Sequence, residues 1–192
     1  MNLIQLATLG VVLTILATQP AAAQNHGDVM YDHSPTTAAQ AASPYVGMER
    51  RAVKALSDQQ TADLEVGGGM GLALAAELNG YPGPAHVLEL ADALRLSDEQ
   101  RTRTKALFEA MKSETIPIGE QVIASEMALD RLFAERRVTR ASLDDAISRI
   151  GTAQSALRAA HLRYHLSMME ILSPIQTSRY VELRGYAVGE HQ

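Results

Sequence analysis

The sequence predicts an all-α protein: a long antiparallel helical hairpin preceded by short N-terminal helices and followed by a C-terminal helix. Three observations carry this expectation. From Tyr45 onward Ala, Leu, Glu, Arg and Gln dominate and β-branched clusters are nearly absent, which leaves strands no obvious place. The pattern Leu-Ser-x-x-Gln recurs at Leu56 to Gln60, Leu96 to Gln100 and Leu172 to Gln176, and each copy has the form of a helix start. Two long segments carry apolar residues at three- and four-residue steps, joined by a short polar connection.

Residues 1–23 hold no Asp, Glu, Lys or Arg, and Leu6 to Ala17 is a nearly unbroken apolar run. It is shorter than the ~20 residues a bilayer span needs. Small residues at Ala21 and Ala23 follow Pro20, so the segment reads as a secretory signal peptide cut after Ala23. The basic start usual for such a peptide is missing, and an uncleaved apolar anchor is the alternative. Residues 24–44, rich in Ala, Ser, Thr and Pro, read as a disordered linker.

Residues 45–94 read as short helices around a Gly-rich joint, Gly67-Gly68-Gly69-Met70-Gly71. The joint superficially resembles a phosphate-cradling loop, but no strand precedes it and no Lys follows. Asn79 to Pro84 reads as a turn opening a short helix of about Ala85 to Leu94. Residues 95–186 form the hairpin and the last helix. In each Leu-Ser-x-x-Gln copy the Ser hydroxyl can accept from the Gln amide N–H while the Gln side chain reaches back to the Ser N–H. Helices are therefore expected to start after Ser57, Ser97 and Ser173, with Pro174 tolerated at the first helical position. The first long helix spans about Asp98 to Phe133, its stripe including Phe108, Met111, Thr115, Ile118, Val122, Leu129 and Phe133, with Pro117 as an interior kink. Thr139 is the expected cap of the second, whose stripe is Leu143, Ile147, Ile150, Gln154, Leu157, His161, Tyr164 and Met168. Residues 187–192 are a tail.

The sequence holds no Cys, which excludes thiolate metal sites and cysteine nucleophiles. A net charge of −5, no Trp and no basic stripe disfavour nucleic acid. No segment after the signal peptide is apolar enough to span a membrane. There is no Gly-x-Ser-x-Gly elbow and no His-Glu-x-x-His helix, and Asp144 and Asp145 are adjacent and diverge on a helix, so the chain reads as a non-enzyme with no required cofactor. The chemistry-bearing candidates are His161, His165 and Met169, spaced four apart on one helix face, with Glu114 roughly opposite His161 on the partner helix. His-x-x-x-His suits a divalent metal and a thioether favours copper in its soft Cu(I) form. The plain alternative is a half-buried core His bonded to Glu114. A second set of donors, His26, Asp28, Met30, Asp32 and His33, falls in the linker.

The signal peptide, the hairpin and the Leu-Ser-x-x-Gln copies at Leu96 to Gln100 and Leu172 to Gln176 resemble the LTxxQ family of periplasmic proteins. That family includes the Spy and CpxP chaperones and the CnrX-type metal sensors. Ser replaces Thr here, a conservative change for a cap. The resemblance implies a periplasmic protein with a bent, Spy/CpxP-like hairpin, often paired into a cradle-shaped homodimer. It implies an envelope-stress role by binding, holding unfolded client proteins or restraining an envelope sensor protein. It also offers a heavy-metal sensor or resistance protein as the alternative, with His161, His165 and Met169 similar to the sensors' His-x-x-x-Met motif. A structural envelope scaffold is a third reading. The hairpin seam leaves apolar surface at Leu132 and Phe133, for which a homodimer is the expected cover, or a fold-back of residues 45–94.

Overall fold

The computed structural model describes residues 43–186, so the signal peptide, nearly all of the linker with His26 and His33, and the tail lie outside the described residues. Those described form one compact unit of six α-helices without a strand. No helix among them is long and apolar enough to cross a membrane. A 3-10 turn at Met48–Arg50 precedes α1 (Asp58–Glu65), α2 (Leu74–Glu77), α3 (Pro84–Glu89), α4 (Asp98–Ala134), α5 (Arg140–Met169) and α6 (Pro174–Leu183).

The caps form as the sequence pattern requires. Ser57, Ser97 and Ser173 each accept from the amide of the Gln three residues on, and each Gln side chain returns to the Ser N–H. Thr139 closes the same loop with Ser142 at the start of α5. The two C-terminal copies of the motif also join each other. Gln100 and Gln176 exchange reciprocal amide hydrogen bonds of 2.8 and 2.9 Å. Gln100 Nε2 further donates to the Ile171 carbonyl at 2.9 Å and Gln176 Nε2 to the Leu94 carbonyl at 3.3 Å. The pair therefore ties the start of α4 to the start of α6. Leu96 and Leu172, the residues before the two caps, are buried in one core cluster with Val87, Ala91, Leu94, Met168 and Tyr180.

The hairpin of α4 and α5 closes through small side chains. The buried face of α5 is Ala146, Ile150, Ala153, Leu157, Ala160, His161, His165 and Met168. Ala recurs every seven residues at 146, 153 and 160, which lets the α4 backbone approach closely. This seam is rotated from the expected stripe: Gln154 is exposed, Ile147 is 52% exposed and Phe133 is 54% exposed.

Pro117 sits inside α4, which continues through it to Ala134. Two residues earlier the Thr115 hydroxyl donates to the Met111 carbonyl at 2.8 Å. Around Pro117 the helix is notched to receive the end of α1. A Cβ on Gly119 would stand 2.5 Å from the Leu64 carbonyl oxygen, and one on Gly67, at φ +71°, 2.7 Å from Thr115 Oγ1. The Gly-rich segment thus opens with a glycine, Gly67, that lies where α1 meets α4. Leu64 joins Val122, Ala153 and Leu157 in a second core cluster. The N-terminal segment consequently folds back over the hairpin. α3 is shorter than expected, because the chain turns after Glu89 and Arg95 takes a left-handed conformation at φ +51°.

Candidate functional site

The base of the hairpin buries a polar cluster centred on a carboxylate. Glu77, the last residue of the one-turn α2, is 4% exposed. Its Oε1 accepts from the Tyr180 phenol, from the Tyr186 hydroxyl at 3.0 Å and from His86 Nδ1 at 3.2 Å. Arg184 Nε stands 3.6 Å from the same Oε1, while Oε2 accepts from the Gly83 amide at 3.2 Å and has His165 Nδ1 3.8 Å away. A buried carboxylate is costly unless such donors replace its hydration. Here they come from α3 and its cap, α5, α6 and the turn after it, so one side chain gathers most of the base. Burial first, and the Glu77 hydrogen bond second, hold the wholly buried Tyr180 phenol far above its ordinary range, so it stays a neutral donor.

The histidines of this region are held in defined orientations. His165 Nδ1 lies 2.7 Å from the Tyr81 carbonyl oxygen, which only accepts, so Nδ1 carries a proton and Nε2 is the nitrogen left for a ligand. His86 is oriented likewise by Glu77. A protein group holding Nδ1–H while Nε2 stays free is the arrangement metal-ligating histidines commonly show. Gly83 makes room for the His165 ring: its backbone is ordinary, but a Cβ there would meet His165 Cε1 at 2.9 Å and Nε2 at 3.0 Å.

His161, 2% exposed, is the unusual member. Its Nε2 is buried without a hydrogen-bond partner, a condition shared among the described residues only by Thr104 Oγ1. Burial first, then the neighbouring His165, push the His161 imidazole below its ordinary value.

The four residues expected from the sequence therefore separate. His161 and His165, 2% and 7% exposed, both lie on the buried face of α5. Met169 is 37% exposed, and its neighbour Met168 takes the core position. Glu114 does not hydrogen-bond His161. It accepts from Arg163 at 2.5 Å and from Tyr164 at 2.9 Å, a displacement of two to three positions along α5 from the expected pairing. The sequence reading missed Glu77, His86, Tyr180 and Tyr186. One signal was available: Glu77 is the sole acidic or basic side chain, His86 aside, between Glu65 and Glu89.

The donor chemistry fits a borderline or soft metal ion through the two α5 imidazoles, with the orphaned His161 Nε2 as the observation that favours it. The set is incomplete as it stands, since no three His, Asp or Glu side chains among the described residues converge as a metal site.

The fold is that of a capped helical hairpin with a buried histidine pair at its base. The family model for heavy-metal resistance matches residues 64–179, more than half of the chain, and the chain belongs to that family. This is the LTxxQ, Spy/CpxP-like family of periplasmic proteins that includes the CnrX type. No curated protein and no solved structure gives a significant match.

Proposed function

We propose that the protein is a periplasmic metal-responsive binding protein of heavy-metal resistance, acting as a sensor or buffer and not as an enzyme. The ion is its cargo or signal, a divalent metal or copper, and no resident cofactor is required. His161 and His165 are its primary ligands. Family membership supports the role, and the observation that carries the site is the buried, unpartnered Nε2 of His161. An imidazole buried without a partner costs free energy that a metal bond would recover. Glu114 and Met169 are secondary to this proposal, because Arg163 and Tyr164 engage the first and solvent faces the second.

The test is thermal unfolding of metal-free protein with copper, zinc, nickel and cobalt. A ligand at 100 times its dissociation constant adds about 2.7 kcal/mol, or roughly 5–11 °C for a domain of this size. A shift that disappears in His161→Leu supports the reading. No shift with any of the four ions overturns it.

A second reading, the Spy/CpxP-type chaperone or regulatory partner, rests on a different observation. The distal hairpin exposes Met127, Phe133 and Ile147 at 40, 54 and 52%, and separately carries a groove of about 610 Å³ between Ala128, Leu132, Ala146 and Ala153. Such a face suits a second copy, an unfolded client or an envelope sensor protein. Light scattering and suppression of client aggregation test it. Family membership favours the metal reading over this one.

A further inference from the structure

A second cleft lies away from the histidines, where α1 and the turn after it fold over α4 and α5. It has a volume of about 430 Å³; Leu56, Leu64, Leu72, Val122 and Leu157 supply its apolar lining, and Gln60, Gln154, Ser155 and Arg158 its polar lining. Clefts of ~300–1,000 Å³ with an apolar body and few polar groups are the usual form of small-molecule sites.

Three features separate this cleft from a packing gap. Gly151 stands in the interior of the 30-residue α5 and lines it, although Gly is a poor helix former there. Unlike Gly119, Gly151 answers to no close neighbour: a Cβ on it would meet nothing within 4 Å, so its missing side chain leaves open space on the cleft wall. Met70, at φ +44° and 39% exposed, holds a left-handed conformation uncommon for a non-glycine residue and also lines the cleft. The third feature is charge. The chain carries a net charge of −5, yet no Asp or Glu lines this cleft. Its one formally charged lining residue is Arg158, which is exposed and forms no ion pair among the described residues.

We propose that this cleft binds a free medium-chain fatty carboxylate, its hydrocarbon tail over Leu64, Leu157 and Val122 beside Gly151 and its carboxylate at Arg158. The apolar floor selects a hydrocarbon, the lone cation selects a negative head, and the modest volume selects one chain over a two-chain lipid. The site does not depend on the metal reading, since none of its lining residues belongs to the histidine cluster.

The experiment is calorimetric titration of the full chain with dodecanoate below its micelle concentration, with dodecyltrimethylammonium as the oppositely charged probe. Dodecanoate is expected to bind at one site per chain and the cation more weakly. Arg158→Gln should weaken dodecanoate roughly three-fold, as befits an exposed ion pair. Gly151→Leu should abolish binding with the helical circular dichroism of the parent retained. If Gly151→Leu does not fold, Gly151→Ala decides: it should fold at least as well as the parent and bind dodecanoate more weakly. Absence of binding, equal binding of the two amphiphiles, or undiminished binding in the folded Gly151 variant would each overturn the proposal.

Discussion

Replacing His161 by Leu separates the function of this side chain from its packing. In a core of this kind a volume-conserving hydrophobic exchange costs under ~1.5 kcal/mol. Against that, the exchange removes a buried ring nitrogen that has no partner, and an unsatisfied buried polar group costs about 1–3 kcal/mol. The balance lies between about 0.5 kcal/mol of destabilisation and about 3 kcal/mol of stabilisation. Urea unfolding of metal-free protein at pH 7.5 reads it as a shifted midpoint at unchanged slope. The pH dependence gives a second check. The folded-state pKa of His161 lies below its unfolded value of about 6.5, so under mild acid the unfolded chain binds a proton the folded chain does not. The contribution is fully present above about pH 6.5 and is lost as the pH falls toward the lowered folded value. His161→Leu should lack this acid-induced loss. A variant more than about 1 kcal/mol less stable than the parent at pH 7.5, with the same acid sensitivity, would show that the imidazole is a satisfied structural residue and would refute the reasoning.

Glu77→Ala strands the buried Tyr180 hydroxyl and the Gly83 amide, and should cost about 2–5 kcal/mol by urea unfolding, whereas Tyr180→Phe should cost about 1 kcal/mol. Gln100→Ala and Gln176→Ala should each cost about 1–2 kcal/mol, and the double variant less than their sum, because each removes the partner of the other. Gly119→Ala, driven against the Leu64 carbonyl, should lose about 1–3 kcal/mol, while Gly151→Ala, facing open space in α5, should gain up to about 1 kcal/mol in thermal unfolding.

What was legible in the sequence was local. The three Ser caps and Thr139 need only the next three residues to form, and all four form. The hairpin follows from two long periodic runs with a short link. The errors arose where a long-range partner decides. Periodicity weighted the large side chains Ile147 and Phe133, but close helix packing chose Ala146, Ala153 and Ala160 and left those two outside. The helix-to-helix register at Glu114 depended on the loop geometry, and a shift of two to three residues moved it from His161 to Arg163 and Tyr164. Glu77 was invisible because its most buried partner, Tyr180, is 103 residues away and belongs to the last helix. His161 and His165 were legible as a pair on one helix face, whereas the orphaned nitrogen of the first and the carbonyl-held ring of the second required the fold.

The gap in burial along the hairpin has a kinetic consequence. From Ile123 to Asp145, through the end of α4, the connecting turn and the start of α5, no residue is buried. At the other end, Glu77 fastens α2 to α6 through Tyr180, and the Gln100–Gln176 pair fastens α4 to α6. Opening free energy in such a molecule rises with distance from the turn, because local unfolding there exposes little apolar surface. Amide hydrogens near Leu132 and Leu143 should therefore exchange through small fluctuations, while those near Met111 and Leu157 await global unfolding. The loose end would then be free to unzip and remake its turns against whatever it meets, leaving the histidines at the tight end undisturbed.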